Sequence, residues 1–193
     1  MAETSLTDLS LADFLARLAS TQPTPGGGSV AALTGALAAS LGRMVAGFTL
    51  GRPKFAAVAP QVRGLAERLT RAAELFARLI DEDAAAYELL SGALKRDKSD
   101  PARAERVRQA AGVAARVPLE TAALGAAAWA DLKQLHAVGN PRLHSDAQAA
   151  MHLARAAVLA AAANVRANLS FLHAEDRAEV GRQLEHFIAR VTD

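Results

Sequence analysis

GGGSVAALTGALAASLGRMVAGFTLG, residues 26–51, decides the fold, and Arg43 is its only charge. Gly28, Ala32, Gly35, Ala39, Gly42 and Ala46 recur at alternating four- and three-residue steps. They therefore line one side of a helix with nothing larger than a methyl group. Val30, Leu33, Leu37, Leu41, Met44 and Phe48 line another side. A helix apolar on both sides is expected to be central, starting near Gly28 and ending before Gly51 and Pro53. Its smooth side should admit a neighbour at the short end of the usual ~8–10 Å spacing. Glycine costs roughly 1 kcal/mol relative to alanine inside a helix, so Gly35 and Gly42 imply a packing need. The stretch is also long enough to span a bilayer. Its Gly, Ala, Ser and Thr transfer weakly, however, and no aromatic belt flanks it, so a core helix of a soluble protein is expected.

Composition carries this reading outward. Of 193 residues, 48 are alanine and only 4% are aromatic, which argues for helix throughout and against a sandwich or doubly wound sheet. One domain over residues 1–193 is expected, an all-α, up-and-down-like bundle of about six long helices. With no cysteine, disulfides and thiol chemistry are excluded. The net charge is only +2, and no basic run is interleaved with aromatics, so nucleic acid is not an expected partner. The first ten residues are acidic where a secretion signal would be basic, and a cytoplasmic location is expected. Five histidines form no HxH or HExxH pattern, so no metal is expected.

Flanking helices follow from periodicity. Leu11, Phe14, Leu15 and Leu18 predict a helix over about 10–20, with Ser10 as N-cap. A long third helix is expected over about 57–94, with Val62, Leu65, Leu69, Phe76, Leu79 and Ile80 inward. Its charges Arg63, Glu67, Arg71, Glu74 and Arg78 alternate on a solvated face. Asp100-Pro101 reads as the N-cap and first residue of a fourth helix, which Pro118 kinks or breaks and Gly139-Asn140-Pro141 ends. A fifth helix over about 146–172 and a sixth over about 174–191 complete the chain. Ser145-Asp146-Ala147-Gln148 has the form of a capping box.

Several segments have both a structural and a chemical reading. Gly26, Gly27, Gly28 and Ser29 either form a tight turn or open backbone N–H groups to a ligand at a helix N-terminus. Asp83 and Tyr87 share a face of the third helix, while Asp81 points ~200° away from Asp83. They belong either to a solvated acidic cluster or to a carboxylate–phenol pair that moves protons. Asp146, Ala150, Ala154, Ala157, Ala161, Asn164 and Asn168 fall on one face of the fifth helix. Those two amides either bond neighbouring backbone or read a ligand. Asn140 suits an ordinary turn. Arg52 and Lys54, in a short Gly/Pro loop, are either solvated or grip an anionic group.

In order along the chain, PTPGGGSVAALTGALAASLGRMVAG-TLG (23–51), DEDAAAY (81–87), VPLE (117–120), GNP (139–141), SDA (145–147) and NVRANL (164–169) resemble the cyclodeaminase/cyclohydrolase family of folate enzymes. The resemblance implies an all-helical homodimer acting on one-carbon units carried by tetrahydrofolate, with no cofactor beyond the folate-bound substrate. It implies hydrolysis of 5,10-methenyltetrahydrofolate to the 10-formyl form. The alternatives are formiminotetrahydrofolate cyclodeamination with release of ammonia, and a folate-binding helical dimer without activity. Asp83 and Asp146 are the implied catalytic carboxylates. Gly26, Gly27, Gly28, Ser29, Arg52, Lys54, Tyr87, Asn140, Ser145, Asn164 and Asn168 are the implied substrate-binding residues. The chain departs from the family pattern at Gly47, Pro53 and Gln148. Asp146 and Asn164 lie ~27 Å apart along one helix, so a site holding both requires a second, antiparallel chain. Such a site is expected at a two-fold interface, with the alanine faces in close contact.

Overall fold

The computed structural model describes residues 5–192, so residues 1–4 of the acidic start, and residue 193, lie outside it. The described residues fold into six α-helices: α1 (Leu11–Leu18), α2 (Gly27–Leu50), α3 (Ala59–Leu94), α4 (Arg103–Val138), α5 (His144–Asn168) and α6 (Ala174–Thr192). There is no strand among the described residues. α2, α3, α4 and α5 form a four-helix core in which each packs on the next and α5 closes back on α2. Short connections make successive core helices run up and down. α6 lies across α4 and α5.

The small-residue side of α2 explains this closeness. A Cβ at Gly35 would run into the Phe76 ring on α3, and one at Gly42 would strike Leu132 of α4. Gly125 of α4 plays the same part against Val158 of α5, where an added Cβ would lie 2.8 Å from Cγ2. Ala150, Ala154, Ala157 and Ala161 of α5 are each 0% exposed, as are Ala32, Ala39 and Ala46 of α2. The alanine faces are thus consumed within one chain and are not available to a second copy, contrary to expectation.

The larger side of α2 is not buried. Leu37, Met44 and Phe48 are exposed, with Val30, Leu33 and Leu41 partly covered beside them. α2 is also the one described helix long and apolar enough to cross a membrane. Its small face is sealed by α3, α4 and α5, and Leu37, Met44 and Phe48 face outward between the partly covered Val30, Leu33 and Leu41.

Local chemistry matches some expectations and revises others. Ser10 caps α1 by accepting the Asp13 N–H at 3.1 Å. α4 starts at Arg103 rather than at Pro101, because Asp100 instead accepts the Ala102 N–H and closes a turn. Pro118 does not break α4, which continues through it to Val138. Ser145 is no N-cap: a 3-10 turn over Pro141–Leu143 runs directly into α5, which begins one residue earlier, at His144. α5 ends at Asn168, and a 3-10 turn over Leu169–Phe171 follows. Another 3-10 segment, Pro53–Val58, precedes α3, with Pro60 in that helix's first turn.

Candidate functional site

The glycine run does what its composition allows. Gly26 stands at the head of α2 in extended conformation, without a side-chain cap. The role of a cap is taken from outside the helix by Asp83, which α3 carries to this point. Its carboxylate fills the space a side chain at position 28 would need. Ser29 Oγ lies 3.1 Å from Asp83 Oδ2 and 3.0 Å from the Ile80 carbonyl oxygen, so its single proton serves either acceptor. The Ser29 backbone N–H also bonds the Asp83 carboxylate.

Burial holds the Asp83 carboxyl above the usual carboxylate range, and the hydrogen bonds from Ser29 pull the other way without cancelling the rise. Ser29 itself is 0% exposed. It lies beneath the site and holds Asp83, so it does not offer its hydroxyl to a ligand.

In front of Asp83 is a cleft of about 210 Å³, lined by Pro23, Thr24, the three glycines, Tyr87, Asn164 and Asn168 among others. Tyr87 follows Asp83 by one helical turn and is exposed at the rim. Asp81, by contrast, turns to the N-terminal segment, accepting the Leu6 N–H at 2.7 Å and the Ser5 hydroxyl. Within the acidic run, Asp81 therefore holds Ser5 and Leu6 while Asp83 enters the cleft.

The two asparagines are oriented by backbone carbonyls. Asn164 Nδ2 donates to Ala160 O at 2.9 Å, and Asn168 Nδ2 donates to Ala114 O at 2.9 Å and to Asn164 O at 3.1 Å. A carbonyl accepts only from a donor, so Asn168 Nδ2 spends both its N–H groups, Asn164 Nδ2 keeps one, and each Oδ1 is left over. No buried side-chain oxygen or nitrogen among the described residues lacks a partner, so these oxygens are open to solvent or ligand. Asp83, Asn164 and Asn168 thus give the cleft lining one carboxylate and two amides with spare acceptor oxygens. No Lys, Arg or His lines it. A group bearing N–H donors or positive charge suits it.

The remaining candidates gather at the opposite end of the bundle. Arg52 and Lys54 are exposed after the end of α2, where Lys54 Nζ sits 4.6 Å from the Phe55 ring centroid. Asn140 is buried; its N–H donates to Thr49 Oγ1 at 3.0 Å, and its Oδ1 accepts the Arg142 N–H. This is the turn chemistry expected for Asn140. Ser145 and Asp146 lie in the first turn of α5, with Asp146 eighteen residues or ~27 Å from Asn164. One chain therefore carries two separate groups of candidate residues, one at each end of α2.

Sequence reasoning missed Thr24 and Arg17. Thr24 is buried in the cleft wall, and Arg17 Nε holds its carbonyl at 3.2 Å. Nothing in the spacing of α1 singled out Arg17. Two roomier clefts, about 500 Å³ between α4 and α6 and about 570 Å³ between α3 and α4, contain none of the candidate residues.

The profile of the formiminotransferase-cyclodeaminase family matches residues 10–185. Formimidoyltransferase-cyclodeaminase of Rattus norvegicus is 34% identical over 171 residues, covering 86% of this chain and 32% of that protein. Methenyltetrahydrofolate cyclohydrolase of Methylorubrum extorquens is 33% identical over 177 residues, covering 89% of this chain and 84% of that protein. The chain thus spans about a third of the length of the first relative, 32%, and most of the second. The crystal structure of formiminotetrahydrofolate cyclodeaminase from Thermotoga maritima matches with a TM-score of 0.83 at 29% identity, covering 97% of this chain and 96% of that one.

Proposed function

This chain belongs to the formiminotransferase-cyclodeaminase family, and from that premise we infer that it is a folate-dependent one-carbon enzyme. The reaction we propose is hydrolysis of 5,10-methenyltetrahydrofolate to 10-formyltetrahydrofolate. The observation that carries it is Asp83: a half-buried carboxyl held above its usual range, in a cleft it shares with Asn164 and Asn168 and that no basic side chain lines. The methenyl substrate is a cationic amidinium, which such a cleft favours over water.

The chemistry then follows from proton positions. Asp83 takes a proton from a water as its oxygen bonds to the methenyl carbon, giving a neutral carbinolamine. The bond from that carbon to N5 then breaks, N5 receives the proton held by Asp83, and the hydroxyl proton leaves as the formyl carbonyl forms. One water is consumed and one proton is released. A carboxyl with a raised pKa is suited to both the acceptance and the return. Asn164 and Asn168 hold the cationic unit through their Oδ1 atoms, the backbone of Gly26–Gly28 approaches the ring closely, and Tyr87 closes the rim.

Arg52 and Lys54 suit the anionic glutamate tail, and Ser145 and Asp146 accompany them at the far end, while buried Asn140 shapes the turn between α4 and α5. We place these in the same site through a homodimer. The stripe Val30, Leu33, Leu37, Leu41, Met44 and Phe48 joins the two ends of α2. A two-fold axis across its middle sets each cleft beside the far end of the second copy.

A second reading, formiminotetrahydrofolate cyclodeamination, is favoured by the Thermotoga maritima neighbour, whose chain is covered almost completely. Ring closure and protonation of the leaving amine would use the same carboxyl. A spectrophotometric assay with the methenyl compound, run beside an ammonia-release assay with the formimino compound, separates the two. Tight folate binding with neither activity would instead make the chain a binding protein.

A further inference from the structure

The VPLE segment (117–120) lies in α4 and lines no part of the Asp83 cleft, yet a carbonyl four residues before its proline accepts a hydrogen bond there. In a regular helix, the N–H of residue 118 would occupy the carbonyl of residue 114. Pro118 has no N–H, so inside α4 it leaves the Ala114 carbonyl without its helical donor. That carbonyl is the one Asn168 Nδ2 reaches, 2.9 Å away on α5. Ala114 lines the cleft with Asn168, and Ala114 is only 7% exposed, so water is a poor substitute donor.

We propose that Pro118 is a positioning residue: by withholding an N–H from Ala114 O, it reserves that carbonyl for Asn168 and so fixes the Asn168 Oδ1 toward the cleft. The proline's helix penalty is thereby tied to the site. One turn later, Thr121 Oγ1 bonds Val117 O at 3.2 Å, so the neighbouring carbonyl is supplied from within the same helix. With an N–H at position 118, a backbone donor would compete for Ala114 O, and the Asn168 amide would be free to rotate. This deepens the role given above to Asn168, and it rests on that reading only for its effect on substrate.

The test compares wild type with Pro118→Ala and Pro118→Ser, both of which restore the N–H, and with Asn168→Ala. The first readout is the Asn168 side-chain amide in nitrogen–proton correlation spectra of the substrate-free protein, together with its solvent exchange. We expect that amide to move toward the free-asparagine position in either Pro118 variant and to exchange about tenfold faster. The second readout is steady-state kinetics with methenyltetrahydrofolate, where KM should rise about tenfold with kcat within about twofold. Combining Pro118→Ala with Asn168→Ala should then cost no more than Asn168→Ala alone. An Asn168 amide signal unchanged in a folded Pro118 variant would overturn the proposal. A shifted amide in a protein that turns over no folate would uphold the positioning and reject the functional reading.

Discussion

The Asp83 carboxylate, carried on α3, occupies the volume where a side chain at position 28 of α2 would stand. Gly28 is therefore required by a specific neighbour and not by helix geometry. Gly28→Ala should destabilise the fold by about 1–3 kcal/mol and displace the carboxylate, lowering turnover as well. Gly47, on the same helix, has nothing within 4 Å of an added Cβ. Gly47→Ala should stabilise by about 0.4–1 kcal/mol. Urea unfolding of the two variants should show shifts of opposite sign.

Asp83 also makes stability depend on pH in a definite direction. Burial raises its folded carboxyl above the usual carboxylate range, so folding favours the protonated form. That contribution is fully present below the unfolded pKa and is lost as pH rises through the folded one. Asp83→Asn removes the buried charge, so its melting temperature should exceed that of wild type at pH 7. The gap should narrow toward pH 4, which a thermal melt series in pH reads directly. A variant that melts lower at neutral pH would contradict the assignment of burial as the dominant cause.

Much of the fold was legible because helical spacing and burial are linked. Phe76, Leu65 and Leu69 fell inward as their periodicity required, and the small face of α2 met α3 and α4 where Gly35 and Gly42 implied. What one chain's pattern could not say is which neighbour covers an apolar face. Alanines on α5 were expected to meet a second copy and instead close the core, while Leu37 and Phe48 face outward. Within the site, spacing correctly separated Asp81 from Asp83. Ser29 was read as a ligand contact because sequence alone does not reveal that its hydroxyl points at Ile80 and Asp83 from below. Arg17 was missed because its role depends on a loop carbonyl.

The outward stripe of α2 gives the proposed dimer a direct test. Leu37→Asp places a charge at its centre and should convert a dimer to a monomer in sedimentation at micromolar concentration, with loss of activity. Asp83→Asn and Asp146→Asn should each be inactive alone. Unfolded together and refolded as a mixture, they should recover about a quarter of wild-type activity, because half the dimers are mixed and each mixed dimer has one intact composite site. No recovery would contradict the composite site.

The most direct measurement is the rate of 5,10-methenyltetrahydrofolate hydrolysis at pH 7, above the uncatalysed background, by wild type and by folded Asp83→Asn. We expect wild type to accelerate the reaction and the variant to lose about 10²–10⁴-fold in kcat while still binding the substrate. A folded Asp83→Asn protein that hydrolyses the compound at the wild-type rate would contradict the central role given to that carboxylate.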